Sequence, residues 1–272
     1  MNARIAFALL AGLAASGCTT MVEAERPPIG VQLYTVREDM ARDPIATLQR
    51  IAAMGFDEVE FARTFGDRSA EMCRETTRLG LDVAAVHVGW ELLRDDPARA
   101  LAEAKAMCTD TLILAYLPVE ERTTLEQWRG WIARLNAIAP LAEAEGIQLA
   151  YHAHDFEFAT IDGVRPIDLM LRDFDPRIGF ELDTYWVQLG GEDPLEFFRR
   201  HRDRITHFHM KDMGQGGAMA DVGAGSIDFA ALVEEFGEDR AYWLIERDDA
   251  PDPWASLAAS LAAMRALTAA TD

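Results

Sequence analysis

The chain has 272 residues, half of them hydrophobic, which is enough to bury a large core in one α/β domain. Its 26 basic and 46 acidic side chains give a formal net charge of −20 at pH 7. Because so acidic a surface repels a phosphate backbone, the composition excludes a nucleic-acid partner and favours a well-solvated protein.

The first residues have the composition of an export signal. A short basic start precedes the apolar run Ile5–Ala15, and Ser16-Gly17-Cys18 follows. This run is too short to span a bilayer, but it suits a secretory signal. Small residues before Cys18 are typical of a bacterial lipobox, although Ala15 stands where Leu, Val or Ile is usual. Ordinary cleavage after a small residue is the alternative.

We therefore expect a lipoprotein signal peptide over residues 1–17, lipidation of Cys18 and a polar linker over residues 18–28. The protein would then be anchored in the bacterial cell envelope by lipid alone and would face the periplasm.

From residue 29 onward, strand-like and helix-like stretches alternate to the end of the chain. The predicted strands are Ile29–Leu33, Glu58–Phe61, Val83–Val88, Thr111–Tyr116, Ile147–His152, Ile178–Asp183, Ile205–Met210 and Tyr242–Glu246. The predicted helices are Pro44–Met54, Ser69–Leu79, Pro97–Met107, Leu125–Glu145, Pro166–Leu171, Pro194–His201, Phe229–Phe236 and Trp254–Leu267. The strands are short continuous apolar runs, as in parallel sheets that are covered on both faces.

Eight βα units in this length predict a single-domain α/β protein, a (β/α)8 TIM barrel over residues 29–272. A doubly wound sheet would favour a glycine-rich turn after the first strand, where Gln32-Leu33-Tyr34-Thr35 stands instead. The glycine-rich stretch Gly214–Gly225 lacks the Lys-Ser/Thr of a P-loop, so we expect a flexible lid or rim there rather than a phosphate cradle. We expect Cys73 and Cys108 to be two buried thiols rather than a disulfide, since a core of this size needs no covalent link.

Polar residues stand at the carboxyl ends of all eight predicted strands. In chain order they are Gln32, Glu60, His87, Tyr116, His152, Asp183, His209 and Glu246. The chemistry of a TIM barrel lies at this end of its strands. Asp183, His209 and Glu246 form a mixed oxygen and nitrogen set that can hold a divalent cation, and His152 is a candidate fourth ligand. Any one of these residues alone could equally be a paired or hydrogen-bonded core residue.

Six segments near the strand ends resemble a known family. They are GVQLYTVRE (Gly30–Glu38), YHAHDFEF (Tyr151–Phe158), LDTYW (Leu182–Trp186), HFHMKD (His207–Asp212), VGAGSIDF (Val222–Phe229) and IERD (Ile245–Asp248). Similar segments recur in the xylose-isomerase-like TIM barrels, often called sugar phosphate isomerases/epimerases, which have relatives among endonuclease-IV-type proteins. The resemblance extends from about Ile29 to the C-terminus and is specific for the superfamily, not for a substrate.

The resemblance implies a metal held by Glu, Asp, His and Glu from four strands. Asp183, His209 and Glu246 match the last three, whereas Tyr151 or His152 stands where the first glutamate belongs. That glutamate is also one of two acid/base groups in the epimerases. Its absence argues against simple two-carboxylate epimerisation and makes His154 and Glu157 candidates for the missing proton transfer, unless they only cap the loop and pair with an arginine.

The sequence therefore predicts proton abstraction beside a carbonyl, assisted by Mn²⁺, Mg²⁺, Co²⁺ or Zn²⁺. The candidate catalytic residues are Glu246, His154, Glu157 and Lys211, and the candidate substrate-binding residues are Gln32, Tyr34, Glu60, His87 and Trp186. With an envelope location and no cluster of strand-end cations for a phosphate, the favoured substrate is a non-phosphorylated sugar or keto-sugar, and the favoured reaction is isomerisation or epimerisation. A keto-glycoside lyase and a non-catalytic, tethered sugar-binding barrel are the alternatives. The acidic surface argues against an endonuclease.

Overall fold

The computed structural model of the protein describes residues 27–236 and 242–269. The predicted signal peptide, Cys18 and most of the predicted linker lie outside these residues. The strands are β1 (Gly30–Gln32), β2 (Glu58–Phe61), β3 (Asp82–Val88), β4 (Thr111–Leu114), β5 (Gln148–His152), β6 (Gly179–Asp183), β7 (Ile205–Met210), β8 (Asp212–Met213), β9 (Met219–Ala220) and β10 (Tyr242–Ile245). The helices are α1 (Arg37–Arg42), α2 (Pro44–Met54), α3 (Ser69–Leu79), α4 (Trp90–Asp95), α5 (Pro97–Ala106), α6 (Leu125–Ala144), α7 (Pro166–Asp173), α8 (Thr184–Leu189), α9 (Pro194–His201), α10 (Phe229–Phe236) and α11 (Pro253–Thr268).

Eight parallel strands close into a barrel in the order β1, β10, β7, β6, β5, β4, β3, β2. Each strand is paired with the next along the chain, apart from the short hairpin β8–β9, and β1 closes the barrel by pairing with β10 as well as with β2. The predicted single-domain (β/α)8 barrel is confirmed. Within the described residues, no helix has both the length and the apolar character that a membrane crossing requires.

Most of the apolar core lies between the strands and the surrounding helices. The large side chains of this layer include Phe61, Trp128 and Phe208, all almost fully buried. Inside the barrel, a small separate layer is formed by Ala85, Ile113 and Ala150. These residues are short or slender, so the polar side chains at the mouth have room to reach inward beside them.

The structure differs from the predicted elements mainly just after the strands. The fourth strand ends at Leu114, so Tyr116 lies in the following loop and not on the strand. The short helices α1, α4 and α8 were not predicted, because six residues are too few to display a helical period.

The prediction of two free thiols is wrong, because Cys73 on α3 and Cys108 after α5 form a disulfide with 5.4 Å between their Cα atoms. Cys108 adopts a positive φ of 62° just beyond the end of α5. The sequence did not predict this pairing, since the two cysteines are 35 residues apart and lie on different elements.

The glycine-rich stretch is a rim element anchored by Asp212. It contains the hairpin β8–β9, whose two strands pair antiparallel. The Asp212 carboxylate accepts hydrogen bonds from the backbone N–H groups of Met213, Gly223, Gly225 and Ile227 at 2.7–3.2 Å. Four donors on one buried carboxylate fix the course of the loop beside the barrel mouth.

Candidate metal and active site

Four predicted metal ligands converge at the carboxyl-terminal mouth of the barrel. His152 ends β5, Asp183 ends β6, His209 lies near the end of β7, and Glu246 follows β10. All four are buried. Because the barrel brings β5, β6, β7 and β10 side by side, residues up to about 100 positions apart in the chain share one site.

The ligand atoms are spaced as one coordination sphere requires. Nδ1 of His209 lies 2.9 Å from Oε2 of Glu246 and 3.5 Å from Oδ2 of Asp183. Nε2 of His152 lies 3.5 Å from the same Asp183 oxygen. Metal–ligand bonds of about 2.0–2.2 Å place neighbouring ligands about 3–3.5 Å apart.

This donor set therefore fits a divalent cation. Nδ1 of His209 supports the same conclusion, because it is buried without a hydrogen bond. His152, Asp183 and His209 each offer a ligand atom within 4.8 Å of the others.

Asp183 is held in place by its other carboxylate oxygen. Oδ1 accepts a hydrogen bond from the backbone N–H of Trp186 at 3.0 Å and so caps the start of α8. Oδ2 is left facing the histidines and Lys211. The local sequence Asp-Thr-Tyr-Trp thus turns the chain into a helix and aims one carboxylate oxygen into the mouth.

Lys211 is a buried cation beside the same carboxylates. Its Nζ lies 2.9 Å from Oδ2 of Asp183, 2.7 Å from Oε2 of Glu246 and 3.1 Å from Oδ1 of Asp248. Burial acts against its charge, but Asp183 and Glu246 outweigh burial and raise the pKa of Lys211 well above its usual value. Burial likewise opposes the charge of Glu246, yet Lys211 and His209 lower its pKa.

Asp248 also belongs to this cluster, although it was not predicted as a site residue. Burial and the charge of Glu246 raise the pKa of Asp248 to about 7, although Lys211 acts in the opposite direction. Its position two residues after Glu246 is the sequence feature that could have indicated it, because alternate residues of an extended segment share a face.

A second polar cluster lies directly behind His209. Nε2 of His209 is 2.8 Å from Oε2 of Glu60 and 3.0 Å from Oε1 of Glu181. Nε2 of His87 is 2.8 Å from Oε2 of Glu181 and 3.1 Å from Oε1 of Glu60. Glu60, His87, Glu181 and His209 thus form a closed ring of four contacts, which we call the histidine–glutamate ring.

The two carboxylates of this ring favour protonated histidines. Burial lowers the pKa of His87, but the charges of Glu60 and Glu181 outweigh it and raise the pKa to about 10. For His209 burial is again opposed, here by Glu181, Glu246 and Glu60, and the pKa is raised well above its usual value. Despite burial, His209 and His87 hold the pKa of Glu181 well below the ordinary range.

Two predicted substrate-binding residues, Glu60 and His87, belong to this ring. Glu60 has no exposed surface and His87 almost none. Contact of Glu60 with a substrate would require its pairs with His87 and His209 to open. Glu181, which was not predicted as a site residue, lies two residues before Asp183 on β6 and therefore on the same face of the strand.

Gln32 and Tyr34 lie on the adjoining side of the mouth. The Gln32 side chain is buried, accepts a hydrogen bond from the backbone N–H of Tyr34 at 3.0 Å and lies 3.4 Å from Nε2 of His87. The Tyr34 ring is half exposed and packs under the Arg37 guanidinium. Of these two side chains, Tyr34 is therefore the one open to a ligand.

His154 lies in an aromatic rim on the other side of the mouth. Its ring is 4.5 Å from that of His152, 5.3 Å from Trp186 and 5.5 Å from Tyr116, and it stacks on Phe156 at 5.1 Å. Nδ1 of His154 is buried without a hydrogen bond. Burial, together with the neighbouring His152 and Lys211, lowers the pKa of His154 well below its usual value, so this imidazole is neutral near pH 7.

Glu157 lies behind this rim and not among the cation-binding side chains. Its carboxylate accepts hydrogen bonds from the Tyr151 hydroxyl at 2.5 Å and from the backbone N–H of His154 at 2.8 Å. Burial raises the pKa of Glu157 to about 7. The proton-transfer role predicted for Glu157 would require a path through His154. In place of the arginine pair that was the alternative, the structure has the hydrogen bonds from Tyr151 and His154.

The protein is a closed parallel barrel with a buried His, Asp and Glu cluster at its mouth that could hold a metal ion. Residues 48–267 match the xylose isomerase-like TIM barrel family, and the chain belongs to this family. Among solved structures, a sugar phosphate isomerase/epimerase from Parabacteroides distasonis superposes with a TM-score of 0.72 at 25% identity, covering 86% of this chain and 96% of that one. The IolI protein, solved with a zinc atom, has the same fold, with a TM-score of 0.68 at 14% identity over 90% of this chain and 99% of that one.

The sequence relatives include proteins named inosose dehydratases. An inosose dehydratase of Lacticaseibacillus casei is 29% identical over 144 residues, which cover 45% of this chain and 47% of the relative. The chain thus spans about half the length of this relative.

Proposed function

We propose that the protein is a divalent-metal-dependent isomerase or epimerase that acts on a non-phosphorylated sugar or keto-sugar through an enediolate. The observation that carries the proposal is the convergence of His152, Asp183, His209 and Glu246, spaced as ligands, beside the buried ammonium of Lys211. The family is one of sugar isomerases and epimerases, which supports the same reaction class.

The cation would supply charge stabilisation for two adjacent substrate oxygens when bound. Lys211 would donate a hydrogen bond to one of these oxygens, because its ammonium already lies among the ligand carboxylates. Its fixed position means that no reorganisation is needed when negative charge develops on the substrate.

Proton transfer would involve the two sides of the mouth. His154 has a buried, unbonded Nδ1 beside His152 and can take a proton from the carbon next to the carbonyl. The imidazolium formed in this way can return the same proton to the neighbouring carbon. Glu246, on the other side of His209, is a ligand and a possible second base. Trp186 would face the sugar ring from the aromatic rim.

The relatives named inosose dehydratases favour a second candidate. From the same enediolate, loss of a group on the next carbon would make the protein a lyase for a keto-glycoside. The two candidates differ in product, since a lyase releases the leaving group whereas an isomerase yields only a rearranged sugar.

Hydrogen exchange from heavy water tests the proposal. A panel of free ketoses and keto-glycosides is incubated with the enzyme and Mn²⁺, and deuterium beside the carbonyl is measured by mass spectrometry and NMR. We expect exchange with at least one compound, and His154→Ala should slow it about 10²–10⁴-fold with metal still bound.

Asp183→Asn is the matched loss-of-metal variant. It should abolish both stoichiometric metal and exchange, while circular dichroism reports an intact barrel. Tight binding of one sugar with no exchange in any compound would contradict the proposal and favour a tethered binding protein.

Location is a separate part of the proposal. The sequence before the barrel supports an envelope lipoprotein acylated at Cys18, and the Cys73–Cys108 disulfide agrees with an oxidising compartment outside the cytoplasm. A non-phosphorylated substrate is consistent with that location.

A further inference from the structure

His209 has carboxylates on both sides of its ring. Nδ1 faces Glu246 and Asp183, and Nε2 faces Glu60 and Glu181. A cation held at the mouth would need the Nδ1 lone pair of His209, so the one remaining imidazole proton would belong on Nε2. What lies next to Nε2 therefore decides how well Nδ1 can serve as a ligand.

Of the two carboxylates behind His209, Glu60 makes the hydrogen bond. The contact of Nε2 with Oε2 of Glu60, at 2.8 Å, has hydrogen-bond geometry. Oε1 of Glu181 lies 3.0 Å away but does not have hydrogen-bond geometry, and the other Glu181 oxygen lies 2.8 Å from Nε2 of His87.

The ring also fixes Glu60 itself. One Glu60 oxygen faces His209 and the other lies 3.1 Å from Nε2 of His87, and the residue has no exposed surface. Glu60 can therefore neither turn away nor reach a sugar at the mouth without breaking both contacts.

We infer that Glu60 is a positioning residue that holds the His209 proton on Nε2 and so presents Nδ1 to the cation. The inference rests on the proposed metal-dependent function and adds a role to it. Hydrogen bonds of this kind on metal-binding histidines typically change metal affinity about 10–100-fold.

The test measures Zn²⁺ and Mn²⁺ binding to the full chain by calorimetry. Glu60→Leu, which cannot accept the proton, should weaken binding about 10–100-fold. Glu60→Gln keeps an acceptor oxygen and should restore a large part of the loss. Glu58→Leu makes the same change two residues earlier on β2, at the other end of the barrel, and should leave affinity unchanged.

Nitrogen-15 NMR of the histidines gives a readout that a merely structural role would not move. In the zinc-loaded wild type the His209 proton should be on Nε2 and should exchange slowly with water, and it should exchange faster in Glu60→Gln, because a neutral amide oxygen is a weaker acceptor than a carboxylate. If Glu60→Leu does not fold, the glutamine variant and its spectrum decide.

Several results would overturn the inference. One is equal metal affinity in the wild type and Glu60→Leu. Another is a raised KM at unchanged metal affinity, which would make Glu60 a substrate ligand. A third is two cations per chain with one lost in Glu60→Leu, which would make the histidine–glutamate ring a second cation site.

Failure of the proposed function looks different. In that case the wild type binds no metal, and Asp183→Asn changes nothing. The metal-free spectra then decide the inference by themselves, because equal exchange rates of the His209 Nε2 proton in the wild type and in Glu60→Gln contradict it.

Discussion

Adjacent residues of β5 point to opposite faces of the barrel wall and have different roles. His152 points into the mouth beside Asp183, whereas Tyr151 packs against Phe174 in the helical layer and its hydroxyl donates a hydrogen bond to Glu157. Glu157 in turn holds the backbone of His154. One buried carboxyl group therefore joins the outer face of β5 to the loop that carries the proposed proton-transfer residue.

Glu157→Gln should make the stability of the protein less dependent on pH. Burial raises the pKa of Glu157 in the folded state from 4.5 to about 7, so folding favours the protonated form. The wild type therefore loses stability as pH rises from about 4.5 through 7, and the loss is complete above that range. Each unit of pKa shift corresponds to about 1.4 kcal/mol.

The free energy of unfolding of Glu157→Gln, relative to that of the wild type, should therefore rise by about 2–3 kcal/mol between pH 5 and pH 8. Urea unfolding across this range measures the difference. Parallel stability curves for the two proteins would contradict the assignment of a buried, protonated Glu157.

The sequence identified the residues at the strand ends but not the network behind them. A polar residue that ends an apolar run is visible in one sequence, and this found His152, Asp183, His209 and Glu246. Glu181 lies two residues deeper in the strand, inside the apolar run, where its partners His87 and His209 come from two other strands. Which side chains meet across the barrel depends on strand register, and a single sequence does not contain it.

The loops that frame the mouth owe their shape to side chains in distant parts of the chain. The Asp212 carboxylate accepts hydrogen bonds from backbone N–H groups between residues 213 and 227. The stretch predicted as a lid or rim is therefore anchored at its base. Glycine content indicated a loop there. The carboxylate that organises it could be recognised only when the hydrogen bonds were known.

The disulfide links two helical segments on the outside of the barrel. Replacing both Cys73 and Cys108 by serine should lower the free energy of unfolding by about 2–4 kcal/mol, because the cross-link shortens the loops available to the unfolded chain. Urea unfolding of the oxidised protein gives the value. The wild type in reductant should fall to the stability of the double variant.

Thiol counting provides the control for this prediction. In a Cys18→Ser background, the denatured, unreduced protein should contain no free thiol. Two reactive thiols per chain, with no effect of reductant on unfolding, would restore the original expectation of free cysteines.

At the scale of the whole molecule, the repeating pattern made the fold predictable. Eight apolar runs separated by helical stretches admit few topologies, and the absence of a glycine-rich first turn favoured closure over an open sheet. Long elements such as α2, α3 and α9 have the predicted bounds. The six-residue helices and the hairpin β8–β9 were not predicted, because elements this short do not display a hydrophobic period.

The net charge of −20 and the apolar run before Cys18 together predict how the protein is held at a membrane. An acidic protein has no electrostatic attraction to an anionic bilayer, so membrane retention would have to come from an acyl anchor. One acyl chain binds reversibly, whereas stable attachment needs two signals, as in a multiply acylated cysteine. Expressed in a bacterial host with labelled fatty acid, the wild type should carry label and sediment with membranes.

Cys18→Ser is the matched variant, because it removes the acylated side chain and leaves the apolar run intact. It should carry no label and should either be released or remain unprocessed at its larger mass. The control variant Ser16→Ala keeps a small residue before Cys18 and should behave as the wild type. Equal retention of wild type and Cys18→Ser, both unlabelled, would show that the chain is held by something other than a lipid on Cys18.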